Sequence, residues 1–459
     1  MPKKLLLIFL LALTARVLFF SLAAVSSDGT ESGLVPRFDG YIDIAENLIA
    51  GNGFTQDSEP PFTPDSIRTP LYPFFLAGLV MVFGNHVAVI VAQMLLASFI
   101  PLLGYRIARQ LFPDGRLATI AGVFLAIEPL MVHLSSTFQV ETFFTLLFLG
   151  GFTLFLDYWK EQKVQTLVYA TLLFGLATLA RPTIQYLPLL SVLAILFLFR
   201  KEWRRGVRHS LVLVGIFLAV LLPWNVRNYI TFGSPALSVQ SVSVPYAFLV
   251  PSAIALEKKI GFSTAQQEFN RGVGGITDVE DITLENASEY KRRLPGLLLA
   301  HPSGLLKSIG VTTLTFFTHD GYLDVLARLH LDPSLRLKRP AFMLLFESPK
   351  EALALAVSLA RSPMLIVIFG RIFWTLVALL FVIGAVRVLK TSEHRAKGVF
   401  VLLCILYFVL TTIAVGLAVN ARFRMPVSAL ILPFAAYGAL YISSLFRRKE
   451  ATVMSVEKP

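Results

Sequence analysis

Cysteine and charged residues are the scarce components of this 459-residue sequence. Its single cysteine, Cys404, excludes an intrachain disulfide and a metal site built on thiolates. Only 15% of the residues are charged, whereas 55% are hydrophobic and the mean hydropathy is +0.69. A soluble chain of two or three domains would not have this composition. The sequence therefore indicates a polytopic membrane protein.

Positive charge follows a pattern that fits membrane topology better than nucleic-acid binding. The formal net charge is +12, but the lysines and arginines fall in short clusters between apolar runs rather than along one stripe. Cytoplasmic loops are enriched in Lys and Arg, so we predict that these clusters and both termini are cytoplasmic, with no nucleic-acid partner. The clusters are Lys3 with Lys4, 106–116, 158–163, 200–209, 387–397 and 446–450.

Apolar runs suited to crossing a bilayer, which takes about 20 residues, recur along the chain. The first follows the charged start MPKK of a signal peptide, but it is too long for a typical signal and contains Arg16. We predict a helix that stays attached, with Arg16 facing protein or water. The ten runs lie at about 5–25, 86–108, 117–133, 142–159, 165–180, 183–199, 209–224, 366–389, 399–419 and 425–445.

The predicted fold class is an all-α polytopic membrane protein with about ten to twelve transmembrane helices. Residues 1–224 form an N-terminal transmembrane core, and residues 366–459 form C-terminal transmembrane helices and a short cytoplasmic tail. Between them, 225–365 is a variable outer region with a Gly-rich stretch at 271–278. Its helical patterns at 294–317 and 351–366 either lie on the membrane or add a pair of spans.

The first outer loop, 26–85, is predicted to contain two helices at the membrane surface. Segment 70–84 is short for a crossing, and as a span it would put the basic loop 106–116 on the wrong side. Residues 41–50 carry apolar side chains at helical spacing, with Asp43 and Glu46 on the other face, and the helix ends at the glycines of 51–53. An interfacial helix of this kind places Asp39 close to the membrane surface.

Arginines break the orientation rule on the predicted outer side. Such exceptions suggest a bound anion, and carboxylates accompany them. An outer pocket with one or two acids among several arginines suits a reaction in which an anionic group leaves and a nucleophile loses a proton. The arginines are Arg37, Arg68, Arg181, Arg227, Arg422 and Arg424, and the acids are Asp39, Asp43 and Glu141.

Four stretches, in order, resemble the polyprenyl-phosphate-sugar-dependent membrane glycosyltransferases, the superfamily that includes protein O-mannosyltransferases and the lipid A aminoarabinose transferase. They are DGYIDIAENLIAGNGF with RTPLYPFFLA, GVFLAIEPLMVHLSSTFQVETFFTLL, GLATLARPT with LPWNVRNYITFG, and NARFRMPVSALILPFAAYG. The resemblance covers the first half of the chain and the last pair of spans. It does not extend over 235–365.

The resemblance implies an inverting transferase for a hexosyl or pentosyl group, with its active site on the outer face of the cytoplasmic membrane. Asp39 matches the family's general base, which deprotonates the acceptor. The family often has a second acid next to that base, where this chain has Gly40, and this keeps Asp43 as a reserve candidate. Arg68 and Arg181 match basic positions for the donor phosphate, and Glu141 matches a second acid on the acceptor side.

Further site residues are predicted from their place near this pocket. Arg422 and Arg424 are candidate ligands of the donor phosphate, and Tyr41 and Tyr72 are candidates to line the sugar site. No second histidine stands at metal spacing from His133. Some relatives require a divalent cation, but no paired-acid motif here demands one, so no metal or other cofactor is indicated.

Other interpretations of these residues remain open at the level of sequence. Asp39 can serve as a helix cap, Glu141 can complement a helix N-terminus, and the arginines can hold lipid headgroups. A transporter or flippase of a polyprenyl-linked or anionic lipid is an alternative function, as is an inactive family member. The expected partners are a polyprenyl-phosphate sugar donor, membrane lipids, and a lipid, glycan or protein acceptor that the sequence does not identify.

Overall fold

The computed structural model describes residues 3–27, 34–272, 281–331, 348–360, 362–391 and 395–456, and all regular elements within these ranges are helical. Most of 271–278 lies outside the described residues. The helices of the N-terminal half are α1 (Lys3–Ser26), α2 (Tyr41–Ala50), α3 (Leu71–Phe83), α4 (His86–Ala97), α5 (Ile100–Leu111), α6 (Gly115–Ile127), α7 (Pro129–Leu134), α8 (Glu141–Glu161), α9 (Val164–Ala180), α10 (Leu187–Leu198) and α11 (Trp203–Phe232).

The outer region and the C-terminal part continue the helical pattern. Three 3₁₀ turns, at Pro182–Ile184, Ile413–Ala418 and Ala421–Phe423, and a π-helical turn at Pro245–Leu249 connect the helices. The remaining helices are α12 (Gln240–Val244), α13 (Val250–Lys258), α14 (Phe262–Gly272), α15 (Ala287–Leu299), α16 (Pro302–Thr318), α17 (Tyr322–Arg328), α18 (Pro349–Ala360), α19 (Leu365–Lys390), α20 (Arg395–Thr412) and α21 (Met425–Val456).

Within the described ranges, seven helical segments are long and apolar enough to cross a membrane: Lys3–Ser26, His86–Leu111, Glu141–Glu161, Trp203–Phe232, Leu365–Lys390, Arg395–Ala418 and Met425–Phe446. Four shorter apolar helices accompany them, at Leu71–Phe83, Gly115–Ile127, Val164–Ala180 and Pro182–Leu198. With α3 left at the surface, the other ten correspond one for one to the predicted runs. The prediction of an all-α polytopic membrane protein is confirmed.

A ladder of phenylalanines fills the centre of the helix bundle. Phe144, Phe148, Phe152 and Phe155 of α8 are at most 1% exposed, because their spacing puts them on one face of the helix. Their rings pack against aromatic rings of α9 and α20, with Phe148 and Phe408 centroids 5.1 Å apart. Helix α8 is therefore held rigidly, and so is the residue that begins it.

Close helix packing joins the spans α19 and α21. A Cβ at Gly384 of α19 would lie 2.0 Å from the carbonyl oxygen of Phe434, and one at Gly438 of α21 would lie 2.2 Å from that of Leu380. Small residues allow this approach, as is common between membrane helices. The start of α21, which follows the turn Ala421–Phe423, is thereby held against the bundle.

Arg16, the charged residue inside the first span, forms hydrogen bonds within the protein. Arg16 is fully buried, and its Nη1 donates to the carbonyl oxygens of Ala12, at 2.9 Å, and Ala126, at 3.3 Å. It faces protein, as predicted.

The helices of the first outer loop occur where the sequence predicts them. Helix α2 ends at Gly51, which has a left-handed backbone, and α3 covers the predicted segment 70–84. The buried face of α2 differs from the face that the apolar periodicity indicates, because Ile42 and Asn47 are buried whereas Ile49, predicted on the apolar face, is 43% exposed. Asn47 Nδ2 donates to the carbonyl oxygens of Thr55 and Asp57, at 3.0 Å each, so the following loop folds back over this helix.

The two ends of α8 separate two groups of charged residues. Asp157, near its C-terminus, pairs with Arg106 at 2.7 Å in one of the basic segments predicted to be cytoplasmic. Glu141 begins the helix about 24 Å away along its axis. Two arginines of the predicted outer loops, Arg181 and Arg422, lie within 4 Å of Glu141.

Candidate active site

Asp39 lies in a tight turn immediately before helix α2. Its φ is +61° and that of Gly40 is +67°, so two successive residues adopt the left-handed conformation. Gly40 is the N-cap, and no side chain among the described residues caps the helix through a hydrogen bond. The capping interpretation of Asp39 is therefore wrong. A strained non-glycine residue of this kind is typical of functional sites.

Two arginines from distant parts of the chain pair with Asp39. Arg68 Nη2 lies 3.7 Å from its Oδ1, and Arg422 Nη1 lies 3.4 Å from its Oδ2. The side chain of Asp39 is 29% exposed, so a substrate can reach it. Each carboxylate oxygen thus faces a cation, and the group remains open to an incoming hydroxyl.

A side chain at position 40 would collide with the Gln56 side chain. A Cβ there would lie 1.8 Å from Oε1 of Gln56, and the φ of +67° is unfavourable for any L-residue. A second acid at this position would need both a left-handed backbone and a movement of the Gln56 side chain, so this turn favours glycine.

The aromatic ring of Tyr41 contacts the guanidinium of Arg68 and is itself packed against Tyr72. The Arg68 guanidinium lies 4.9 Å from the centroid of the Tyr41 ring, which is a cation–π geometry. Tyr41 is 5% exposed and packs edge-on against Tyr72, whose hydroxyl donates to Gln93 Oε1 at 2.7 Å. Burial raises the pKa of Tyr41, so its hydroxyl stays protonated at neutral pH. Tyr41 therefore contacts Arg68 directly, and Tyr72 lies behind Tyr41, with no exposed surface.

Glu141 pairs with Arg181 and with Arg422, the arginine that also contacts Asp39. Glu141 lies in the first turn of α8, and its side chain is 2% exposed. Its Oε1 is 3.1 Å from Arg181 Nη1 and 3.8 Å from Arg422 Nε, whereas its Oε2 has no hydrogen-bond partner among the described residues. The ring of Phe423 lies within 5.3 Å of the Arg181 guanidinium and 5.4 Å of the Arg422 guanidinium.

Arg422 is the residue that connects the two carboxylates. Burial alone would lower its pKa, but the neighbouring Glu141 and Asp39 carboxylates more than offset this effect, so the pKa is raised. Arg422 is thus permanently charged. The exposed Asp39 and the buried Glu141 are not equivalent, because only Asp39 is accessible to a substrate. We define the oxyanion cluster as Asp39, Arg68, Glu141, Arg181 and Arg422.

Asp43 lies apart from the oxyanion cluster. It pairs with Arg37 at 2.9 Å, and Arg37 also forms a bidentate pair with Glu46 at 2.7 Å. All three side chains are more than a third exposed. This pairing raises the pKa of Arg37, and it places Asp43 in a surface network instead of beside Arg68.

Two further predicted arginines also lie outside the cluster. Arg424 is 2% exposed, donates to the carbonyl oxygen of Phe316 and lies 3.6 Å from the centroid of the Trp374 ring. Arg227 lies within 5.5 Å of three aromatic ring centroids and donates to the carbonyl oxygen of Asp65 at 3.2 Å. Both arginines stabilise the elements that carry the cluster.

Asp65 is a buried acid beside the cluster that the sequence interpretation missed. Its Oδ1 accepts from the backbone N–H groups of Ile67 and Arg68, at 2.9 and 2.6 Å, and its Oδ2 accepts from Gln56 Nε2. The sequence signal for this turn was the position of Asp65, two residues before Ile67 and three before Arg68, which is the spacing of an Asx-type turn.

The described residues contain no group of three or more His, Cys, Asp or Glu side chains placed to hold a metal ion. The two acids of the oxyanion cluster do not combine into such a site, since the guanidinium of Arg422 contacts both of them. The cationic groups that the structure places here are therefore arginines.

Residues 67–226 match the family model of dolichyl-phosphate-mannose-protein mannosyltransferases. This segment of the chain is similar to that family. The match confirms the predicted resemblance to the polyprenyl-phosphate-sugar-dependent membrane glycosyltransferases. It covers about a third of the sequence and includes Arg68, Glu141 and Arg181, whereas Asp39 and Arg422 lie outside the mannosyltransferase-like segment. No curated protein matches the chain significantly.

Solved structures of similar shape include an archaeal oligosaccharyltransferase and a bacterial protein. AglB from Archaeoglobus fulgidus, in complex with an inhibitory peptide and a dolichol-phosphate, shares 13% identity at a TM-score of 0.49. That comparison covers 98% of this chain, which spans about half, 52%, of the AglB chain. ArnT from Cupriavidus metallidurans bound to undecaprenyl phosphate shares 16% identity at a TM-score of 0.37, and the comparison covers 93% of this chain and 77% of the ArnT chain. For ArnT in the apo state, the identity is 16% and the TM-score is 0.31, with 92% of this chain and 76% of the ArnT chain covered.

Proposed function

We propose that the protein is an inverting glycosyltransferase that moves a hexosyl or pentosyl group from a polyprenyl-phosphate donor to a lipid, glycan or protein acceptor. The observation that carries this proposal is the position of Asp39, an accessible carboxylate with Arg68 and Arg422 each within 4 Å. The family match over 67–226 supports the donor class, since the family is named for a dolichyl-phosphate-linked sugar.

The reaction is a single displacement at the anomeric carbon. An acceptor hydroxyl gives its proton to Asp39 as its oxygen forms a bond to that carbon, while the bond from the carbon to the phosphate oxygen breaks. The electron pair of the broken bond stays on the polyprenyl phosphate, which leaves. Attack from the face opposite the leaving group inverts the configuration of the sugar.

Arginines replace the general acid that a glycosidase uses. A glycosidase needs a second carboxylic acid because its leaving alkoxide must be protonated. A phosphate leaves as a stable anion, so fixed positive charge is sufficient. Arg68, Arg181 and Arg422 supply that charge, and the bidentate geometry of guanidinium groups suits phosphate oxygens.

Glu141 has a supporting role in this reaction. Its burial keeps a substrate hydroxyl from reaching it, whereas its contacts with Arg181 and Arg422 fix both guanidinium groups. The same charge balance leaves the oxyanion cluster with three cations and two anions. A phosphate entering the cluster therefore finds a net positive charge.

The outer face of the cytoplasmic membrane is the proposed location of the site. The cluster lies at the end of α8 opposite the pair between Arg106 and Asp157. Basic loops favour the cytoplasm, so the end that carries Arg106 is placed inside, together with both termini. The oxyanion cluster then faces outward.

The decisive test replaces Asp39 with asparagine. Asparagine tolerates the left-handed conformation that Asp39 adopts, so the variant keeps the turn and loses only the base. In cells that depend on this protein, we expect lipid-linked sugar to accumulate with Asp39→Asn, as it does when the protein is absent. The measurement is mass spectrometry of lipid-linked sugars and surface glycans.

A binding measurement and a matched control complete this test. The Asp39→Asn protein should still bind undecaprenyl phosphate, because the arginines remain. Asp57→Asn changes an acid of the same loop whose carboxylate bonds to Thr55 and Thr63, and it should behave as the wild type does. Normal glycans with Asp39→Asn would refute the assignment of the base, and lipid transport without sugar transfer would favour a flippase.

A further inference from the structure

Asp65, which is 8% exposed, bonds to both ends of the loop between α2 and α3 and to helix α11. Its own loop donates two backbone N–H groups to Oδ1, from Ile67 and Arg68. Gln56 Nε2, from the segment that follows α2, donates to Oδ2. The backbone carbonyl oxygen of Asp65 accepts from Arg227 at the end of α11. Together these hydrogen bonds constrain the position of the Arg68 backbone.

Gln56 extends these contacts to the turn that carries the base. Its Oε1 is the atom nearest to the position that a Cβ would take on Gly40, at 1.8 Å. The amide of Gln56 is thus inserted between Gly40 and Asp65, in contact with the first and hydrogen-bonded to the second. A continuous path runs from Asp39 and Gly40, through Gln56 and Asp65, to the backbone of Arg68.

Other bonds fix the same loop to the rest of the molecule. The hydroxyl of Thr69 donates to the carbonyl oxygen of Ala180 at 2.8 Å, next to Arg181. From the outer region, Val239 N donates to the carbonyl oxygen of Ser66 at 3.0 Å, and the Ser238 hydroxyl donates to that of Ile67. The Asp65 loop is therefore the place where α9 and the outer region contact the site.

We infer that Asp65 is a positioning residue that sets the distance between the base, Asp39, and the phosphate-binding Arg68. This inference rests on the proposed function, because it assigns a purpose to the spacing of these two groups. Asp65 touches no substrate. It acts through Gln56 on the turn of Asp39 and through two backbone bonds on Arg68, so that proton removal and leaving-group stabilisation occur at a fixed separation.

The contact between Gln56 and Asp65 can be broken and rebuilt with reversed polarity. In Asp65→Asn, the amide oxygen can still accept from Ile67 and Arg68, but the new NH₂ group faces Nε2 of Gln56. The two amides can bond again only if the Gln56 amide turns over, which replaces Oε1 by Nε2 beside Gly40. In Gln56→Glu alone, two carboxylates oppose each other. In the double variant, the amide introduced at position 65 donates to the carboxylate introduced at position 56, and the hydrogen bond returns.

Turnover should follow this pattern of hydrogen bonds. We expect about a tenfold lower rate of sugar transfer for each single variant, since losing one buried hydrogen bond to a charged group changes an equilibrium by roughly that factor. The double variant should recover to within about threefold of the wild-type rate. The rate is measured as consumption of lipid-linked sugar in membranes, by mass spectrometry.

Binding of undecaprenyl phosphate tests, without requiring sugar transfer, whether the bonds from Asp65 to the backbone hold Arg68 in place. Asp65→Ala removes the acceptor for both backbone N–H groups, so Arg68 should shift and the dissociation constant should rise about tenfold. Asp65→Asn keeps that acceptor, and its affinity should stay near that of the wild type. Asp57→Asn is the matched control, because the Asp57 carboxylate bonds within its own loop, to Thr55 and Thr63.

The outcomes separate this inference from the proposed function. Rescue by the double variant, together with weaker lipid binding in Asp65→Ala only, supports a positioning role. Single variants with normal turnover, or a double variant that stays as slow as either single one while all variants have the same unfolding temperature, would overturn it. If the wild type binds the lipid but transfers no sugar, the proposed function fails, and the binding pattern alone decides the role of Asp65.

Discussion

Arg422 Nη1 lies 3.4 Å from Asp39 Oδ2, although 383 positions separate the two residues in the sequence. The contact joins the turn before α2 to the turn before α21, and it extends to Glu141 through the Nε of the same guanidinium. A carboxylate from the predicted first outer loop and a cation from the predicted last one therefore belong to one site. The integrity of that site depends on the packing of α21 against the bundle.

Replacing Arg422 with lysine should impair transfer strongly. A lysine ammonium is a compact point charge and cannot contact Asp39 and Glu141 through two different nitrogens. We expect kcat/KM to fall about 10- to 100-fold, which is about 1.4 to 2.7 kcal/mol of transition-state stabilisation. The measurement is the rate of donor consumption at several donor concentrations.

Arg37→Lys provides the control for this substitution. Arg37 also belongs to an outer loop, but its partners Asp43 and Glu46 are exposed. Surface ion pairs of this kind contribute about 0 to 1 kcal/mol, so turnover should be unchanged. Equal losses in both variants would show that outer-loop charge in general, and not the contact with Asp39, governs the reaction.

The sequence and the structure agree best where helix length and periodicity determine the outcome. Apolar run length predicts the spans, and the pattern of 41–50 predicts α2. The burial of Ile42 and Asn47 could not be predicted, since it depends on the loop containing Thr55 folding back over the helix.

Agreement at the site is limited by loop geometry. Orientation-rule exceptions identify the arginines, and Arg68, Arg181 and Arg422 do meet. Arg424 follows Arg422 by only two positions, yet the 3₁₀ turn Ala421–Phe423 directs it to Trp374 instead. Spacing alone does not reveal such a change of direction.

Gly40→Ala should destabilise the protein more than an equivalent change elsewhere. Two effects combine at this position: a left-handed backbone, which costs a residue with a Cβ about 1 to 2 kcal/mol, and a collision with the Gln56 side chain. We expect a lower unfolding temperature and reduced turnover, because the turn that carries Asp39 must shift. Thermal unfolding in detergent and donor consumption are the measurements.

Gly51→Ala isolates the backbone contribution. Gly51 has a φ of +82°, and a Cβ there would meet no atom within 4 Å among the described residues. The additional loss in Gly40→Ala is then the cost of the collision, and Gln56→Ala in the same chain should relieve it. An equal effect of the two glycine substitutions would mean that Gln56 does not restrict the turn.

Asp43→Asn should leave transfer intact. Asp43 pairs with the exposed Arg37 and contributes to a surface network, and neutralising it removes about 1 kcal/mol at most. Donor consumption and the unfolding temperature should both stay close to those of the wild type. If instead Asp43→Asn abolishes transfer and Asp39→Asn does not, Asp43 is the base and the turn at Asp39 must rearrange when substrate binds.

A hydrogen-bonded carboxylate makes the outer region sensitive to acid. Glu257, in the last turn of α13, accepts from His301 at 2.9 Å, from the Ser303 hydroxyl at 2.8 Å and from Gly304 N at 3.2 Å. These bonds lower the pKa of Glu257 to about 2, with the bond from His301 as the largest cause. They connect α13 to the start of α16.

The sign of the pH effect follows from the lowered pKa. A carboxylate with a folded pKa below its unfolded value of 4.5 stabilises the fold fully above that value, and the contribution is lost as the pH falls toward about 2. Comparing wild type with Glu257→Gln, we expect the wild type to unfold at a higher temperature at pH 7, with the difference shrinking between pH 5 and pH 3. Glu268→Gln is the matched control, because Glu268 of α14 pairs at the surface with Lys258, the neighbour of Glu257 in α13, and has no ion pair with α16 among the described residues. A difference that stays constant over this pH range would show that the carboxylate of Glu257 does not hold α13 to α16 through its charge.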